Sequence, residues 1–132
     1  MKENNQKDLG PENLDWPNLG YYRDQNKILG KSEQNKNQIV FMGDSITEGW
    51  SNFYPEFFKK NNFLNRGISG QTTPQMLIRF KPDVVDLSPV AVVILGGTND
   101  IAGNTGPSTV KMITDNIFSM AEIGSKNKIS VF

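Results

Sequence analysis

The sequence predicts an α/β domain built on a mostly parallel sheet. Two apolar runs, Ile39–Met42 and Val90–Leu95, lack the polar–apolar alternation of a half-exposed strand. Both therefore read as strands covered on two faces. Segments with helical spacing follow them, and strands alternating with helices imply parallel pairing through right-handed crossovers. At 132 residues the chain is one domain at most, since a domain takes roughly 100–200 residues.

Residues 1–38 are rich in Asn, Gln and charge, with Trp16, Leu19, Tyr21, Tyr22, Ile28 and Leu29 scattered among them. They read as a polar N-terminal arm packed on the domain, carrying an aromatic clamp and one short helix near Tyr21–Leu29. Regular patterning occupies residues 39–132. Ile39–Met42 ends at Gly43 as the first strand. Pro55–Lys60 has Pro in the first turn of a helix, and Phe63–Leu64 reads as a second short strand. Thr73 is placed as an N-cap with Pro74 at the first helical position, and Met76, Leu77 and Phe80 face inward. Val90–Leu95 is the third strand. Pro107-Ser108-Thr109 opens the longest helix, whose apolar stripe is Val110, Ile113, Ile117, Met120 and Ile123, with Gly124 as its stop. Lys128–Phe132 begins a fourth strand. An apolar strand at an uncovered edge is a liability, so the chain reads as the front part of a larger domain.

Composition narrows the chemistry. Fourteen basic and 14 acidic side chains cancel, leaving no broad field to attract nucleic acid or an anionic membrane. No apolar run approaches the roughly 20 residues of a membrane span. The absence of Cys excludes disulfides, thiol nucleophiles and zinc–thiolate sites. The absence of His removes the commonest general base and metal ligand. Met1–Gly10 has no apolar core of a signal peptide. That places the protein in the cytoplasm by default, or outside it if a leader has been trimmed.

Three loops follow the three strands, at the ends where open α/β sheets hold their ligands. Gly43-Asp44-Ser45-Ile46 sets a Ser on a tight turn leading toward a helix, so that its hydroxyl and nearby N–H groups meet at the rim. Taken alone it also fits an ordinary N-cap Ser. Asn65–Thr73 carries Gly67 and Gly70, which permit close approach to a ligand or simply a flexible connection. It is not a phosphate-binding Walker loop, because no Gly-Lys-Ser/Thr follows. Gly96-Gly97-Thr98-Asn99-Asp100 offers an amide side chain to the same cleft, or a Gly–Asn turn.

Taken in order, Gly43–Ile46, Asn65–Thr72 and Gly97–Asp100 resemble the first three motifs of the GDSL, or SGNH, hydrolase superfamily. The resemblance covers about residues 39–132. It implies a three-layer flavodoxin-like fold, incomplete at the C-terminus, and hydrolysis of acyl esters by a serine nucleophile. Carried over residue by residue, Ser45 is the nucleophile, and the Ser45 N–H, the Gly70 N–H and the Asn99 side chain form the oxyanion hole. Gly67 is the alternative to Gly70. The substrate implied is a small acyl ester, of acetyl above all, on a carbohydrate or a lipid. No cofactor or metal is implied. The family's fourth motif, Asp-x-x-His, does not occur in these residues, and the chain as given is expected to be inactive. Two competing readings are a non-catalytic carbohydrate- or acyl-binding relative, and a magnesium site on Asp44 and Asp100. Both acids are better placed as braces for tight turns. Trp50, Phe53 and Tyr54 fit either a wall beside an acyl pocket or core packing.

Overall fold

Alternation along β1 (Ile39–Gly43) sends Val40 and Met42 to one face of the sheet and Phe41 to the other. In this computed structural model, which describes residues 14–30 and 37–132, both faces are covered over β1. Val40, Met42 and Val92 are fully buried against Met76 and Phe80 of α4 (Thr73–Asp83) and Met120 of α6 (Val110–Lys126). On the opposite face Phe41 meets Trp50 of α2 (Ser45–Phe53), Phe57 and Phe58 of α3 (Pro55–Asn61) and Phe63 of β2 (Phe63–Gly67), with ring centroids 5.2–5.9 Å apart. Edge-on aromatic packing of this kind adds about 0.5–1.5 kcal/mol per pair beyond area burial.

The sheet runs β2-β1-β3-β4, with β3 at Ala91–Leu95 and β4 at Ser130–Val131, and every neighbouring pair is parallel. The chain moves outward from β1 to β2, then crosses back to β3 on the other side of β1. The strand order therefore reverses beside the carboxyl end of β1, which is where such sheets open a crevice. A short helix α1 (Arg23–Leu29) precedes β1, and a four-residue helix α5 (Thr98–Ile101) follows β3.

Several elements differ from the expectations above. The N-cap of α4 is Thr72 rather than Thr73. Gln75 returns its side chain to the Thr72 N–H at 2.9 Å, closing a reciprocal capping box, and this frees the Thr73 hydroxyl for Asp100. Pro74 is then the second helical residue. Gly124 does not stop α6. It stays inside the helix where β4 passes so closely that an added Cβ would meet Val131 at 2.7 Å. The α6 stripe is buried at Ile113 and Met120, but its ends, Val110 and Ile123, are exposed. β3 is covered at Ala91 and Val92 and opens toward Leu95, because α2 and α3 pack over β1 and β2. Of the proposed N-terminal arm, residues 1–13 and 31–36 lie outside the described residues.

A polar seam runs through this apolar frame. Arg79 of α4 has no exposed surface and pairs with Asp83 one turn on, at 2.8 Å. Asp83 also accepts from Asn26 of α1, whose own oxygen takes two N–H groups of buried Arg66. The Arg66 guanidinium lies 4.5 Å from the centre of the Tyr22 ring, a cation–π contact. Burial lowers the pKa of both arginines from the usual value, and Asp83 pulls each back up. Removing one partner of a buried ion pair strands the other charge at a cost of about 3–5 kcal/mol. Asp83→Ala is therefore expected to destabilise the fold by about that amount, read as a fall in the midpoint of chemical unfolding.

Candidate active site

The three loops singled out in the sequence meet at the switch point, and they are bonded to one another. Ile68 donates to the Gly43 carbonyl at 3.1 Å, joining the second loop to the first. Glu48 on α2 accepts from the Ser69 N–H at 2.5 Å, and Tyr21 donates to its other oxygen; that bond and burial raise the Tyr21 pKa. Asn99 donates to the Gln71 carbonyl at 3.0 Å and Asn104 to the Gly70 carbonyl at 2.9 Å, joining the second loop to the third. The second loop is thus a held segment rather than a flexible connection.

Ser45 is the first residue of α2, and it is exposed. Its neighbour Asp44 does the capping, accepting from the Ile46 N–H at 2.9 Å. Ser45 is therefore not spent as an N-cap: among the described residues neither its hydroxyl nor its N–H has a protein partner. The turn sits close against the second strand. A Cβ at Gly67 would run into the backbone of α2 at Glu48, so only glycine lets the helix start so near the end of β2.

The two candidate glycines separate cleanly. Gly67 is buried, its N–H donates to Asn65 at 2.8 Å, and its carbonyl accepts from the buried Tyr22 hydroxyl at 2.5 Å. Burial pushes that phenol's pKa up. Gly70 is exposed with φ +77, a conformation that favours glycine. Its N–H has no acceptor among the described residues. Asn99 is half-buried, and one of its two amide hydrogens is committed to Gln71, leaving the second unassigned to any described group. The joined loops thus carry two unpaired backbone N–H groups, those of Ser45 and Gly70, and one uncommitted amide hydrogen, on Asn99.

Asp100 is buried and accepts from both the N–H and the hydroxyl of Thr73, at 2.6–3.1 Å, against the first turn of α4. A carboxylate is stabilised there by the helix dipole. Asp44 and Asp100 thus each brace a loop, and among the described residues no three acidic, His or Cys side chains converge as a metal site. Trp50 stacks on Phe57 at 4.5 Å between centroids, whereas Phe53 is 91% exposed. The Trp50 ring is therefore packing.

Residues 41–124 match the sequence profile of the GDSL-like lipase/acylhydrolase family. The chain belongs to that family. A GDSL-like lipase from Bacteroides thetaiotaomicron VPI-5482 superposes with a TM-score of 0.83 at 48% identity, over 87% of this chain and 56% of that one. A candidate acylhydrolase from Bacteroides fragilis NCTC 9343 gives 0.84 at 51% identity, over 88% and 56%. The uncharacterized lipoprotein YqeF of Bacillus subtilis (strain 168) is 37% identical over 78 residues, 48% of this chain and 32% of that protein. The chain thus spans about half the length of the solved relatives. The parallel sheet flanked by helices is the fold of those structures.

Sequence reasoning missed the residues that join the family's loops: Glu48, Gln71, Arg79 and Asn104. One signal was present. Arg79 stands three residues after Met76 and beside Phe80, a charge on the buried face of α4. Asp100→Ala would leave the buried donors of Thr73 without an acceptor, a loss of about 1–3 kcal/mol. A fall of several degrees in Tm for Asp100→Ala would check it.

Proposed function

We propose that this protein hydrolyses acyl esters through an acyl-serine intermediate on Ser45. The observation that carries the proposal is an uncapped, exposed serine on a loop bonded to two others that hold free donors: besides the N–H of Ser45 itself, the N–H of Gly70 and the second amide hydrogen of Asn99. Attack of the Ser45 hydroxyl oxygen on the ester carbonyl forms a tetrahedral intermediate with a negative oxygen, while the serine proton passes to a base. Neutral N–H donors suit that oxygen, since donors held in fixed loops need not reorganise as the charge develops. Collapse breaks the ester C–O bond, and the departing alkoxide takes the proton from the base. Water activated by the same base then cleaves the acyl-serine.

The base is proposed to be an Asp-x-x-His pair in the full-length protein, outside these residues. The 132 residues contain no His, and Asp44 and Asp100 are buried and engaged with Ile46 and Thr73. Without a base the 132 residues alone are expected to be close to inactive.

The proposed substrate is an acetyl ester with a hydroxylated alcohol, a sugar rather than a long-chain lipid. A cavity of about 300 Å³ opens beside Gly70, lined by Asp15, Trp16, Asn18, Ser69 and Gln75. Its lining is almost entirely polar, which suits sugar hydroxyls rather than an alkyl chain.

In the full-length protein a fluorophosphonate probe is expected to attach to Ser45. Ser45→Ala should lose both labelling and acetyl-ester turnover, and an adduct mapped to another residue would overturn the assignment. For Asn99→Ala, kcat should fall by about 10²–10³-fold with a smaller change in KM. A raised KM at unchanged kcat would move Asn99 from the oxyanion to ground-state binding.

A further inference from the structure

Gln71 follows Gly70 in the second loop and is where that loop meets the one that carries Asn99, and all of its polar groups are engaged. Its carbonyl receives the Asn99 side chain at 3.0 Å, its N–H donates to Ile68, and its side-chain nitrogen donates to the Pro17 carbonyl at 2.7 Å. Its side-chain oxygen accepts from Nε of Arg79 at 2.7 Å. The same guanidinium donates to the Arg66 carbonyl at 3.1 Å and approaches the Gly43 carbonyl at 3.5 Å. Gly43 is two residues before Ser45. One planar, fully buried fork therefore touches the end of β1, the end of β2 and the residue next to Gly70. A fork of fixed geometry fixes the groups it touches relative to one another, which a flexible ammonium does not.

We infer that Arg79, acting through Gln71, is a positioning residue that sets the spacing of the Ser45, Gly70 and Asn99 donors. It touches no substrate. The inference rests on the oxyanion reading of those three donors and deepens it. A carbonyl that swings with Gln71 carries the Asn99 amide with it, and a misplacement of about 1 Å at such a site costs on the order of 10²-fold in rate.

The experiment is steady-state hydrolysis of an acetyl ester by the full-length protein. Arg79→Lys keeps the charge beside Asp83 and loses the fork, so kcat should fall by about 10–100-fold with KM held within about threefold. Arg79→Lys combined with Asn99→Ala should lose less than the product of the two single losses, by at least about threefold, because the donor Arg79 helps to hold is already gone. Where Arg79→Lys does not fold, Gln71 supplies the same readout. Gln71→Met removes the acceptor for Arg79 and should lower kcat likewise, with KM again held within about threefold. Wild-type kcat for Arg79→Lys or Gln71→Met, or losses that multiply fully in the double variant, would overturn the inference. If Asn99→Ala alone leaves kcat unchanged, the oxyanion reading itself falls.

Discussion

A guanidinium with no exposed surface has to find its acceptors inside the protein, and each of the three nitrogens of Arg79 finds one, on three separate segments. Its charge is matched by Asp83 on its own helix, so the neutralising partner is local and fixed by helical spacing. The remaining donors reach Gln71 and the carbonyl at Arg66, and there the sheet and the loops become one unit. Desolvation makes the arrangement all-or-none: an unmet buried donor costs more than the bond contributes when made. The fold therefore has little freedom to shift the second loop without breaking the seam.

That rigidity matters because the loops themselves carry almost no apolar anchoring. Ser45, Ser69, Gly70 and Asn104 are exposed. Their positions come from hydrogen bonds to buried or half-buried neighbours: Ile68 to Gly43, Asn99 to Gln71, Thr73 to Asp100. The stiff apolar body beneath is supplied by Val40, Met42, Val92, Phe80 and Met120 on one face and the Phe41 aromatic cluster on the other. A polar rim bonded to a rigid sheet keeps its exposed groups in fixed positions.

The N-terminal segment takes part in this support. Trp16 and Pro17 accept from Gln75 and Gln71, Tyr22 holds the Gly67 carbonyl, and Asn26 bridges Arg66 to Asp83. In sequence these residues are a polar stretch with scattered aromatics, and nothing in their own window says which carbonyl or which arginine each will reach. Their partners lie 40–59 positions away.

The sequence by itself determined what is encoded within a few residues. The apolar runs at Ile39–Met42 and Val90–Leu95 marked the strands, and the motifs around Ser45, Gly70 and Asn99 marked the loops and the family. These signals are legible because backbone period, turn chemistry and caps act over short windows. Only the tertiary structure decided which glycine keeps its N–H unpaired. Gly67 and Gly70 are alike in sequence, but Asn65 takes the first amide and leaves the second. The same holds for the cap of α4. Thr72 and Thr73 both qualify locally, and Asp100, 27 residues away, claims the hydroxyl of Thr73. Arg79 reads as a charge on an apolar helix face until the ends of β1 and β2 close over it. A buried hydrogen bond is settled by whichever partner the folded chain brings within 3 Å, and over long sequence separations the pairing depends on topology rather than on local pattern.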